Sequence, residues 1–107
     1  MNQIANTPEP PYYAVVFTSV RTEVDEGYAD TAEKMIALAS KQPGFLGVES
    51  VKQEGGLGVT VSYWKDTESI RKWKNQAAHQ QAQHFGRNKW YGSYRNRVAK
   101  VDREYGY

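Results

Sequence analysis

The chain has 107 residues, a formal net charge of +2 and no cysteine. That length is one domain, able to bury roughly 60–70% of its unfolded surface around a shallow core. The missing thiols exclude disulfides, thiolate metal sites and thiol catalysis, the near-balanced charge gives no footprint for nucleic acid, and no apolar run reaches the ~20 residues of a membrane span.

Aromatic residues make up 13% of the chain, with 8 Tyr and 3 Trp. Side chains with one dry and one wet end suit interfaces and pockets as well as cores. Residues 1–11 carry polar side chains and Pro8, Pro10 and Pro11, which reads as an extended, mobile tail. With no basic or apolar leader there, the expected location is the cytoplasm. The folded domain is expected over 12–107.

Tyr12–Val20, nearly all apolar and rich in strand formers, reads as a central strand covered on both faces. Asp25–Gln42 reads as a helix with Asp25 as N-cap. Its apolar stripe is Tyr28, Ala32, Met35 and Ala39, and Pro43-Gly44 is its stop signal. Phe45–Glu54 and Leu57–Trp64 read as two strands joined by a Gly55-Gly56 hairpin turn. The second alternates cleanly: Leu57, Val59, Val61 and Tyr63 on one face, Gly58, Thr60, Ser62 and Trp64 on the other. A face of Gly, Thr, Ser and one Trp suits a cavity or a partner better than ordinary packing.

Asp66 reads as the cap of a second helix carrying Ile70, Trp73 and Ala77. The stripe then shifts to Ala78, Ala82 and Phe85, which predicts a bend near Asn75-Gln76. A last strand is expected over Tyr94–Arg103, with Arg95, Arg97, Lys100 and Arg103 as a solvated, charged edge. The order β-α-β-β-α-β is the ferredoxin-like arrangement, an antiparallel sheet with both helices on one face. The apolar first strand leaves the other face in need of cover, and a second copy is the simplest cover, so a homodimer through that sheet face is expected.

Three segments also carry a resemblance: PGFLGVES at Pro43–Ser50, VSYWKDTESIRKWK at Val61–Lys74, and AAH at Ala77–His79. Together they resemble the antibiotic biosynthesis monooxygenase domain of the dimeric α+β barrel superfamily, over about Tyr13 to Tyr107. The resemblance implies one of several activities. The first is oxidation of a small aromatic, phenolic or quinol substrate by dioxygen without a cofactor. The alternatives are haem binding and degradation, or non-catalytic sequestration of a small ligand by a dimeric stress-related protein. In the haem-degrading relatives a Trp and a His would correspond to Trp73 and His79, but the asparagine of their first strand is missing from Val16-Phe17-Thr18-Ser19.

The candidate catalytic residues are His79 and Trp73. An imidazole neutral near pH 7 can take a proton from a phenol, and an indole can stack on a flat substrate. Trp64, Thr60, Ser62 and Tyr91 are the candidate substrate-binding residues, with Tyr63, Tyr94 and Arg95 as further possible donors to an oxyanion. No metal site is expected. His79 and His84 lack the i, i+4 spacing of a helical ligand pair, and Gly55–Gly58 lacks the helix and lysine of a phosphate loop.

Overall fold

The computed structural model describes residues 3–25, 27–85 and 90–107, and the side chains of these except 78–85. Its elements are β1 (Tyr12–Arg21), α1 (Tyr28–Ser40), β2 (Phe45–Lys52), β3 (Leu57–Trp64), α2 (Thr67–Phe85) and β4 (Tyr91–Val101). The strands form one antiparallel sheet in the order β2-β3-β1-β4, the ferredoxin-like arrangement expected. No described helix is long and apolar enough to cross a membrane.

Register assigns every strand residue to a face. Tyr13, Val15, Phe17 and Ser19 of β1 stand opposite Trp64, Ser62, Thr60 and Gly58 of β3, and opposite Lys100, Val98, Asn96 and Tyr94 of β4. This is the helix face, because Trp64 and Val15 pack with Ile70 and Trp73 of α2 and Ala39 of α1. The outer face carries Ala14, Val16, Thr18 and Val20, paired with Tyr63, Val61, Val59 and Leu57. The helices lie against β2 and β3. β4 is an edge strand, exposed from Gly92 to Lys100, in keeping with its charged composition.

Three local expectations differ from the structure. First, α1 begins at Tyr28 and has no side-chain cap. The Asp25 carboxylate instead pairs with the Arg21 guanidinium at 2.9 Å, and Gly27 turns the chain into the helix at φ 76°, a conformation that costs glycine little. Second, α2 runs unbroken through Asn75-Gln76. It contains no proline or glycine, and a straight helix rotates its stripe by ~20° per heptad in any case. Asp66 does cap it: the Ser69 backbone N–H donates to Oδ1 at 2.8 Å, and hydrogen bonding from the Ser69 side chain and then its backbone holds the Asp66 carboxyl below the usual range.

Third, β4 starts at Tyr91 rather than Tyr94, because Arg21 pairs with Tyr91 across a bulge at Val20/Arg21 and the Thr22 N–H donates to the Trp90 carbonyl at 2.8 Å. The first eleven residues, expected as a tail, also make specific contacts on the outer face. The Ala5 N–H donates to Glu49 Oε2 at 2.8 Å, and the Thr7 hydroxyl donates to the Tyr12 phenol at 3.0 Å. Gly47 lies under this segment: a Cβ there would come within 2.9 Å of the Ala5 methyl.

Candidate functional site

The small-residue face of β3 points at the helices, and its hydroxyls are engaged by the protein itself. Trp64 is fully buried, and its indole N–H donates to Ser62 Oγ at 2.9 Å. Phe45 meets Trp64 edge-on with ring centroids 5.4 Å apart, and Trp73 stacks on it at 6.1 Å with planes 22° apart. Trp73 itself is half-buried. Two residues along the strand from Ser62, the Thr60 hydroxyl shares a hydrogen bond of 2.8 Å with Ser50 on β2. Ser62 accepts from Trp64, and among the described residues no acceptor takes its own proton. A serine hydroxyl offers one donor and two acceptor sites, so the Ser62 O–H is unused among the described residues.

Tyr91 belongs to a second aromatic group further along the same face. It meets Phe17 edge-on at 5.4 Å and Tyr28 edge-on at 5.9 Å, with its hydroxyl 3.5 Å from that of Tyr28. Burial, then the Tyr28 hydroxyl, raises the Tyr91 phenol above its ordinary range. It stays protonated at neutral pH and is a donor rather than a base. Phe17 faces Thr60 in the ladder, so Thr60 sits between the tryptophan pair and the Tyr91 group.

The structure therefore brings Trp64, Trp73 and Ser62 together and sets Tyr91 apart, with Thr60 between. The side chains of His79 and His84 lie outside the described residues. Tyr63 points to the opposite face, where its hydroxyl donates to Glu49 Oε1 at 2.6 Å. Tyr94 is 59% exposed and 5.7 Å from Phe17. Among the described residues no three of His, Cys, Asp and Glu gather where a metal ion could be held.

Two members of this face escape a reading of the sequence. Phe17 lies in a β1 run that is apolar on both faces, which hides its alternation. Trp90 is 2% exposed and packs edge-on against Tyr28 at 5.8 Å, a tertiary contact with no local signature beyond the tryptophan itself.

Residues 11–84 match the family model described as antibiotic biosynthesis monooxygenase. The chain belongs to that family. A relative from Bacillus subtilis (strain 168), the uncharacterised protein YqjZ, is 56% identical over 104 residues, covering 97% of this chain and 91% of the relative. The fold is also that of SnoaB, a cofactor-independent oxygenase from Streptomyces nogalater. A point mutant of SnoaB superposes with a TM-score of 0.71 at 11% identity, over 87% of this chain and 95% of that one. Protein SO0527 from Shewanella oneidensis superposes with a TM-score of 0.70 at 12% identity, over 92% of this chain and 97% of its own. At such identities the two structural matches speak for the fold alone.

Proposed function

We propose that this family member is a cytoplasmic, cofactor-independent monooxygenase that oxidises a small aromatic, phenolic or quinol substrate with dioxygen between the sheet and its helices. The observation that carries the reading is the Ser62 hydroxyl. It is fixed by the Trp64 indole at 2.9 Å, its proton is unused among the described residues, and it stands on the face where half-buried Trp73 offers a surface for a flat ring.

In the reaction, an activated ring or benzylic carbon loses two hydrogens and gains one oxygen atom as a carbonyl. The second oxygen atom leaves as water. The substrate supplies all four electrons that dioxygen takes up, so no external reductant is needed. His79 takes the substrate proton and forms the electron-rich anion. Ser62 donates to the developing oxyanion, Trp73 stacks on the ring, and Thr60, Trp64 and Tyr91 shape the site. The working unit is a homodimer closed through the outer sheet face.

Oxygen uptake with a panel of anthrones, quinols and flavonoids tests this reading. Turnover should fall by ~10²-fold or more in His79→Ala and by about 10²-fold in Ser62→Ala. A panel with no oxygen consumption would sink it. A Soret band on haemin titration, lost in His79→Ala, would move the assignment to haem chemistry. A ligand retained in native mass spectrometry without turnover would move it to a binding protein.

A further inference from the structure

The far end of the helix face, six residues along β3 from Trp64 and so about 20 Å away, holds a recess of about 220 Å³ between β1, β2, β3 and the start of α1. Its walls include Ser19, Arg21, Tyr28, Lys52 and Gly58. Two cations converge on one ring there. The Arg21 guanidinium carbon lies 3.3 Å from the Tyr28 ring centroid, and the Lys52 ammonium lies 4.7 Å from it. Arg21 is offset by Asp25 at 2.9 Å. Lys52 has no acidic partner among the described residues, and the described walls, with Asp25 among them, hold one more positive than negative side chain.

The second observation is independent of charge. Ser19 is only 6% exposed, and its hydroxyl has no hydrogen-bond partner among the described residues. Every fully sealed side-chain nitrogen or oxygen among those residues does have one, so the Ser19 oxygen is not fully sealed, and Ser19 lines the recess. A ligand oxygen in the recess can accept the Ser19 proton. Opposite it, Gly58 presents no side chain, and a Cβ there would lie 3.9 Å from Ser19 Oγ, in the floor of the recess.

We infer that this recess is a binding site for a small oxyanion, a carboxylate or phosphate group, held by the Lys52 ammonium and the Ser19 hydroxyl beside the Arg21–Tyr28 stack. The recess lies on the same face as the proposed oxygenase site, at the end away from the Trp64–Trp73 pair, and the inference does not depend on that reading.

The test is titration of the full chain with sodium acetate and with inorganic phosphate at constant ionic strength, followed by amide chemical shifts. Saturable shifts at Ser19, Tyr28 and Lys52 are expected below about 10 mM ligand. Lys52→Gln, an exposed position, should weaken binding about tenfold. Gly58→Ala should weaken it as well by occupying the floor, while Lys41→Gln, a lysine outside the recess, should leave it unchanged. Saturation by phosphate alone assigns a phosphorylated ligand, and saturation by acetate assigns a carboxylate. The absence of saturable shifts with either anion overturns the inference, and so does equal weakening by Lys41→Gln, which would mean diffuse attraction.

Discussion

The two faces of the sheet handle polar groups in opposite ways. On the helix face, neutral hydroxyls pair with neutral partners: Ser62 with the Trp64 indole at 2.9 Å and Thr60 with Ser50 at 2.8 Å. On the outer face, phenols pair with carboxylates: Tyr63 with Glu49 at 2.6 Å and Tyr12 with Glu104, also at 2.6 Å. Charge-assisted bonds of that kind fix structure; the bond to Glu104 holds the Tyr12 phenol above its ordinary range, and burial, then the bond to Glu49, does so for Tyr63. On the helix face the Ser62 proton has no acceptor among the described residues, and the half-buried Trp73 ring stands nearby. The outer face is covered by residues 5–7 at one end and shows Val20, Leu57 and Val51, respectively 42%, 44% and 68% exposed, at the other. The proposed ligand would meet the first face and the proposed second copy would cover the other.

The largest effect belongs to the helix face. Trp64→Ala should cost about 3–5 kcal/mol in urea unfolding, the range for a fully buried aromatic, out of a total near 5–15 kcal/mol. Trp73→Ala should cost clearly less, since Trp73 is only half-buried, and should cut ligand binding more than stability. Equal losses of stability would erase the distinction between core anchor and pocket wall.

Next comes the cover of the outer face. Val61 pairs with Val16 at its centre. Val61→Arg should convert the proposed dimer to monomer in sedimentation velocity while far-ultraviolet circular dichroism is kept, because an unpaired charge is not tolerated in a dry interface. An unchanged dimer would move the interface elsewhere, with the exposed β4 edge the first place to look.

How much of this is legible in the sequence follows from the range of each interaction. β3 can be read face by face because one of its faces is polar, so its period of two is visible. β1 cannot, since both faces are apolar, and Phe17 is hidden for that reason. Asp66 is legible as a cap because its partner lies three residues away. Asp25 has an equally good local signature, but Arg21 four residues earlier takes its carboxylate. The prolines and polar residues of the first eleven positions carry only local information. The Ala5–Glu49 bond joins residues 44 apart and leaves no trace in composition. Trp64 and Trp73 look alike in sequence, and only packing separates them.

A smaller effect tests whether residues 3–11 belong to the covered face. In Gly47→Ala the new methyl would sit 2.9 Å from that of Ala5, closer than such carbons approach, so the segment must shift. The Ala5 amide should then lose protection in hydrogen exchange, with a stability loss on the order of 1 kcal/mol for the one hydrogen bond. Unchanged protection would mean that the segment yields without releasing Glu49.

The smallest effect appears only in alkali. Burial first, and then the hydrogen bond to Glu49, raises the Tyr63 phenol. A raised phenol keeps its proton in the folded chain at pH values where an unfolded tyrosine, with a pKa near ~10, has lost it. Above that pH the folded state binds more protons, so stability is flat through neutrality and falls as pH rises beyond ~10. Tyr63→Phe should make that fall shallower in urea midpoints measured from neutral to strongly alkaline pH. Tyr91→Phe should do the same from the helix face, where burial is the first cause. Because Glu49 accepts from both Tyr63 and the Ala5 N–H, Tyr63→Phe should also loosen the Ala5 amide and Tyr91→Phe should not. An Ala5 response to Tyr91→Phe would mean that the two faces of the sheet are coupled.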